Sequence, residues 1–313
     1  MPFTRKPKVF KSIGAVSFGA GDSAVTLGGG NTLPLNFFDA KPANPPAVGA
    51  EILDTGFDTA DLPLLAKAYE GANTPAEQAV RAAGLKGVQF VCVRFEGADP
   101  NGENRTVEEC VKLAQEIAAV CPKPLVIAGC RNAEKDTELF KALAPVLADK
   151  KVIYLSAKEE NYKTIGAATA LAYQQNVSGE SACDINLAKQ LNVLLTQLGV
   201  PKTNMVMNLG AAAAGYGFEY VSSTMDLVKA AALEQDDAML QLPVITPVAS
   251  EAWSVKESIV SEADVPEWGA VEPRGIQMES VTAAACLASG SDAVILRHPV
   301  SIEKIAALIA ALV

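Results

Sequence analysis

Histidine is almost missing from this sequence: His298 is the single one among 313 residues. One imidazole supports neither a His-based metal set nor a convincing hydrolytic triad, and no Gly-x-Ser-x-Gly turn accompanies it. The six cysteines (Cys92, Cys110, Cys121, Cys130, Cys183 and Cys286) include no CxxC pair and have no His partner at zinc-like spacing. They are therefore expected to act as small buried hydrophobes, and metal ligation by this chain alone is not expected. Positive charge is also scarce, with 26 Lys and Arg against 36 Asp and Glu and a net charge of -10. That balance argues against nucleic acid or an anionic membrane as a partner. The densest basic cluster, Arg5 to Lys8 with Lys11 beyond, has no apolar region behind it and does not read as a signal peptide. No apolar run reaches the roughly 20 residues that a membrane span needs. These absences together predict a cytoplasmic protein.

Apolar residues make up 50% of the chain and charged residues 20%, enough to bury a substantial core. Short runs rich in Val and Ile alternate with longer segments of helical period, the pattern of parallel strands joined by crossover helices. Strands are predicted near Val48–Leu53, Val88–Val93, Leu125–Ala128, Val152–Leu155, Asn176–Gly179, Met205–Asn208, Pro243–Pro247 and Ala293–Leu296. Eight such units predict an α/β fold, a (β/α)8 TIM barrel over residues 47–313, preceded by an N-terminal Gly-rich extension, 1–46. Thr106 and Glu109 form a capping box, Asp184 is placed to cap the helix that follows it, and Ser301 is placed to open the last one. Within the extension, apolar alternation at Val16, Phe18, Val25 and Leu27 around Gly19 to Asp22 predicts a hairpin that plugs the barrel's bottom. The stretch Ser250 to Gly275, which carries Trp253 and Trp268, reads as a lid or docking surface.

Barrels of this kind bind ligands where their strands end. The inventory there is chemically thin: Asp54 and Thr55, Arg94 with Glu96 and Asp99, Arg131, Lys158 to Asn161, Ser181 to Asp184, Asn208 to Gly217, Ser250 with Glu251, and Arg297 with His298. The neighbouring acids Glu108-Glu109 and Glu159-Glu160 suit helix starts better than acid/base work, because adjacent positions diverge. Lys158 lies in a polar loop, a poor setting for a Schiff base. His298 is expected to be structural or to cap a loop. It also lacks the Asp-x-His-x-x-Gly setting that would present an imidazole to cobalt. The run from Asn208 to Gly217 is rich in Ala and Gly, which lets a broad flat ligand approach the backbone, although a tight turn explains it equally well. It is not a dinucleotide fingerprint, since the spacing and the downstream acid are missing.

Five segments, Phe95 to Asn104, Glu160 to Lys163, Asp184 to Asn192, Gly215 to Tyr220 and Glu251 to Trp253, together resemble the small subunit of the corrinoid iron-sulfur protein, the delta-subunit family of acetyl-CoA decarbonylase/synthase. The resemblance covers most of the chain from about Ala47 onward. It implies a TIM barrel paired as a heterodimer with a larger subunit, which carries a [4Fe-4S] cluster and a domain for the nucleotide tail of a B12-type cobalt corrinoid. It implies a methyl carrier of the Wood-Ljungdahl pathway of carbon fixation. Its further partners would be a methyltetrahydrofolate-dependent methyltransferase and acetyl-CoA synthase/CO dehydrogenase. Loop position and composition then nominate Asn208, Gly210, Ala211, Ala212, Gly215 and Tyr216 as corrinoid contacts, with Ser250 and Trp253 walling the pocket. No catalytic residue is nominated, and the rim is expected to be built of small, unreactive groups. The rival readings are a barrel methyltransferase acting directly on a methylated pterin through residues such as Asp54 and Asn208, and a scaffold without a ligand.

Overall fold

The computed structural model describes residues 10–35 and 41–313. The basic cluster Arg5 to Lys8 and positions 36–40 of the N-terminal extension lie outside the described residues. The described residues form ten strands: β1 (Ala15–Phe18), β2 (Val25–Gly28), β3 (Ala47–Leu53), β4 (Phe90–Arg94), β5 (Leu125–Ala128), β6 (Ile153–Ala157), β7 (Asn176–Glu180), β8 (Met205–Asn208), β9 (Ile245–Thr246) and β10 (Ala293–Leu296). The last eight form one parallel sheet in the order β8-β7-β6-β5-β4-β3-β10-β9. An isolated parallel bridge between Met207 and Val244, with Met207 N donating to Pro243 O at 2.8 Å, joins β8 to the approach of β9 and rounds the sheet into a barrel. Helices such as Val107–Val120, Ala133–Val146, Ile185–Leu198 and Val271–Ala288 connect the strands.

Side chains along a strand alternate between its two faces, so each strand feeds two cores. Val48, Ala50, Ile52, Val91, Val93 and Ile127 belong to the larger one, packed with helix residues such as Ile117, Leu139 and Leu143. Phe90, Cys92, Val126, Ile153, Val206, Ile245, Ala293 and Ile295 belong to the smaller one, inside the barrel. Val16, Phe18 and Leu27 of the β1-β2 hairpin join that inner cluster, and the Phe18 and Phe90 rings meet edge to face at 5.4 Å. Gly49 has no side chain for a reason of space: a Cβ there would lie 2.1 Å from the Phe90 ring. The hairpin is tied to positions where strands begin, with Gly19 N donating to Lys151 O at 2.9 Å and Asn176 Nδ2 to Ser17 O at 3.1 Å.

Several boundaries differ from expectation, three of them for identifiable local reasons. The second barrel strand begins at Phe90, because Gln89 uses its side chain as well as its backbone on Val48: its Oε1 accepts from Val48 N at 2.7 Å. The seventh shrinks to Ile245–Thr246, since the prolines at 243 and 247 have no amide to give a ladder. The last helix is Pro299–Leu312, capped by His298 instead of Ser301. His298 Nδ1 accepts from Val300 N at 3.2 Å, whereas Ser301 is buried within the helix with its hydroxyl 3.4 Å from Ile276 O. The Thr106-Glu109 capping box and the Asp184 cap both form. Among the described residues no helix is long and apolar enough to cross a membrane.

Candidate functional site

Continuing the inward alternation past the inner cluster puts ionic residues at the strand ends. Glu51 on β3 is fully buried and bridges two arginines: Arg94 Nε donates to Oε1 at 2.7 Å, and Arg297 Nη2 to Oε2 at 2.9 Å. Burial opposes ionisation of Glu51, but the two guanidinium charges and their hydrogen bonds outweigh it and hold the carboxyl below its ordinary range. The floor of the mouth is thus a buried Arg-Glu-Arg bridge carrying one net positive charge.

Two depressions flank that bridge. The first, of about 290 Å³, is lined by Arg94, Ala128, Arg131, Asp136, Ser156, Lys158, Glu180, Ala182, Asn208, Gly210, Ala211 and Ser250, among others. The second, of about 370 Å³, lies between the loops after β3 and β10 and is walled by Phe57, Trp253, Ile259 and Arg297. Arg131, Ala182 and Cys183 adopt left-handed backbone conformations at the first rim, with φ of 73°, 45° and 64°. Non-glycine residues hold such conformations only where their surroundings impose them, and they cluster at functional sites.

Of the eight nominated residues, Asn208, Gly210, Ala211 and Ser250 line the first cavity. Asn208 is anchored there, its Nδ2 donating to Ser156 Oγ at 3.1 Å and its Oδ1 accepting from Gly210 N at 3.0 Å. Gly210 has φ +90°, and a Cβ on it would press against Ala182 Cα at 3.3 Å. Ser250 turns its hydroxyl to Pro247 O at 3.0 Å. Ala212 instead packs against the outer core. Gly215 and Tyr216 are exposed, and the Tyr216 hydroxyl donates to Glu257. Trp253 belongs to the other depression, where it stacks on His298 with centroids 5.8 Å apart. Arg274 ties the segment around it together, donating through Nη1 to Glu257 O and through Nη2 to Val260 O, both at 2.6 Å.

The expectation of a small, unreactive rim is corrected: ions line it. Lys158 Nζ lies 3.7 Å from Glu180, and Arg131 Nη2 lies 3.0 Å from Glu251. Lys158 therefore sits beside a carboxylate and not in the apolar surroundings a Schiff base requires. Asp136 accepts from Cys130 N at 2.7 Å and Arg131 N at 3.1 Å, yet burial still raises its pKa. Burial also pushes the Cys130 thiol up to about 12. His298 is wholly buried, its Nε2 3.0 Å from Glu272, and its pKa is lowered by burial. Glu51 was missed by strand-end reasoning because it lies within an apolar strand; the one usable signal was an acid on the inward parity of β3.

A family model described as CO dehydrogenase/acetyl-CoA synthase delta subunit matches residues 15–306. An acetyl-CoA decarbonylase/synthase complex subunit delta from Archaeoglobus fulgidus is 30% identical over 296 residues, 91% of this chain and 63% of the relative. The subunit delta of Methanopyrus kandleri is 29% identical over 287 residues, covering 92% of this chain and 70% of the relative. The chain thus spans less than two thirds of the length of the Archaeoglobus protein. Among solved structures, Xanthomonas albilineans dihydropteroate synthase with 4-aminobenzoic acid superposes with a TM-score of 0.55 at 13% identity, over 95% of this chain and 98% of that one. Yersinia pestis dihydropteroate synthase with a pterine-sulfa conjugate gives 0.53 at 11%, over 85% of this chain and 92% of that one. At such identities the likeness speaks for the (β/α)8 barrel and for nothing finer. With the family model running from the first strand of the hairpin into the last helix, the chain belongs to the CO dehydrogenase/acetyl-CoA synthase delta subunit family.

Proposed function

We propose that this chain is the small subunit of a corrinoid iron-sulfur protein, a methyl carrier of the acetyl-CoA decarbonylase/synthase complex. In this reading it forms a cytoplasmic heterodimer with a larger subunit that holds the [4Fe-4S] cluster, and the two share a cobalt corrinoid. The methyl group comes from a methyltetrahydrofolate-dependent methyltransferase and goes to acetyl-CoA synthase/CO dehydrogenase in the Wood-Ljungdahl pathway. The observation that carries the reading is the open mouth at the ends of β5 to β8, where Gly210, Ala182 and Ala211 leave the backbone accessible beside polar anchors.

These residues fit one edge of a flat macrocycle. A cavity of about 290 Å³ cannot enclose a whole one, which suits sharing with a partner. His298 has both ring nitrogens engaged, one by Glu272 and one by Val300 N, so an axial ligand to cobalt would come from elsewhere. When bound, the cobalt supplies the nucleophile and the leaving group for methyl transfer. This chain's own residues position the group: Asn208, Gly210, Ala211 and Ser250 form the contact wall, beside the ionic floor. Ala212, Gly215, Tyr216 and Trp253 would take part only as supports or as surface offered to the larger subunit.

The direct pterin methyltransferase reading is weaker, because Asp54 is occupied: it accepts from Gly97 N at 2.9 Å and pairs with Arg105 at 2.8 Å. The purified chain alone is expected not to demethylate methyltetrahydrofolate. Ala211→Trp, which fills the half-buried edge of the cavity, should lower the cobalt content of the reconstituted heterodimer severalfold while leaving its circular dichroism intact. Full cobalt loading of that variant would overturn this placement of the contact wall, and a heterodimer that takes up no corrinoid would overturn the function.

A further inference from the structure

Arg94 is only 5% exposed, and among the described residues the only hydrogen bond of its side chain runs from Nε to Glu51. Neither Nη atom has a hydrogen-bond partner among the described residues, although Arg94 lines the first cavity. Where it lines the cavity, Arg94 thus keeps donors that meet no acceptor among the described residues and are available to an acceptor that enters. Across the cavity, on β7, Glu180 faces in with Lys158 at 3.7 Å and Asn208 Nδ2 at 3.4 Å, which leaves it spare acceptor capacity. The charged side chains of the lining balance: Arg94, Arg131 and Lys158 against Asp136, Glu180 and Glu251. A free oxyanion would gain at the three cations and lose against the three carboxylates, and a cation would meet the converse. A neutral group that both accepts and donates strong hydrogen bonds has no such conflict, and the primary carboxamide is the simplest one.

We propose that the first cavity is a carboxamide-recognition subsite, in which the Nη groups of Arg94 donate to amide carbonyl oxygen and Glu180 accepts amide N–H. The ligand is the fringe of amide-bearing arms on a corrin ring, so the inference rests on the function proposed above and deepens it. Glu51 then acts as a positioning residue: by holding Nε, it turns the other two nitrogens of Arg94 toward the mouth.

The test uses the heterodimer freed of corrinoid and titrated, by visible absorption, with cobinamide and with cobinamide whose peripheral amides have been hydrolysed to carboxylates. The wild type should bind the amide form at least about tenfold tighter. Arg94→Lys keeps a charge beside Glu51 but loses the fork, and should weaken binding of the amide form by about tenfold or more. Glu180→Ala, at a partly exposed position that tolerates truncation, should weaken it about threefold to tenfold and serves if Arg94→Lys does not fold. Both variants binding like the wild type would overturn the subsite while leaving the proposed function standing. Tighter binding of the carboxylate form would overturn it in favour of an oxyanion site. If Arg94→Lys impaired assembly of the corrinoid-free heterodimer and not corrinoid uptake, the recognised amide would be a partner side chain and the proposal would fail. A wild-type heterodimer that binds neither cobinamide would sink the function and the subsite together.

Discussion

The two ends of this barrel are built by opposite means. Where the strands begin, the lumen is filled with hydrocarbon, as Val16, Phe18 and Leu27 of the hairpin interlock with Phe90, Val126 and Ile153. Where the strands end, the same inward-facing rows carry Glu51, Arg94, Glu180, Asn208 and Arg297. Apolar burial is non-directional and stabilises in proportion to area, so it suits an end whose task is to hold the ring closed. Buried ion bridges add little net stability against well-packed hydrocarbon, because desolvation consumes most of their attraction. What they add is fixed direction, and that suits the binding role proposed for this end. The contrast predicts that damage at the closed end appears as lost stability, and damage at the open end as lost binding.

Phe18→Ala should produce the largest loss of stability, about 3–5 kcal/mol by urea unfolding, with corrinoid uptake by the folded fraction unchanged. An equal fall in uptake would erase the distinction between the ends. Glu51→Gln should cost about 3 kcal/mol, since two guanidinium groups would be left sharing a neutral amide, and here uptake should fall more than stability accounts for. Stability retained together with unchanged uptake would show the bridge to be idle.

Acid should act through the open end. Glu51 titrates below its ordinary range in the fold, so its contribution is complete above the unfolded value and is lost as pH falls through the folded one. His298 is also held below its ordinary 6.5. Below that pH the unfolded chain takes up a proton that the fold resists, so stability declines as pH drops. Buried Asp54, Asp136 and Glu279 have raised values and oppose this trend, so the measurement is a difference. Between about pH 7 and 5, the urea midpoint of the wild type should fall relative to that of His298→Gln. Parallel profiles would mean that the imidazole does not report on this end. The smallest effect is expected for Asn132→Ala, which removes the cap whose Oδ1 accepts from Lys135 N at 3.0 Å. It should cost about 1 kcal/mol and leave uptake intact.

Much of the scaffold could be read from the residues because its signals are local. Strand and helix periods, the Thr106-Glu109 box and the Asp184 cap each depend on positions a few residues apart. The ionic floor could not be read that way: Glu51 meets partners 43 and 246 positions away, and in sequence it looks like one acid inside an apolar run. The small-residue loop after β8 divides between two surfaces: Asn208, Gly210 and Ala211 line the first cavity, and the part that follows does not. Gly215 and Gly217, at φ of 87° and 86°, turn the chain outward and carry Tyr216 away from the cavity. His298 was expected to be structural, yet its use as the cap of the last helix depends on Glu272 and Trp253, which no spacing rule brings beside it.

The fit of Phe90 into the space left at Gly49 bears on uniqueness. Eight similar strands could in principle close a ring in several staggered alignments, since aliphatic side chains of like size exchange places with little loss. An aromatic ring that needs a bare Cα on the adjacent strand permits only one of them. Sliding either strand by two positions would set that ring against Ala47 or Glu51, neither of which yields the room, and the ionic groups would no longer converge at the other end.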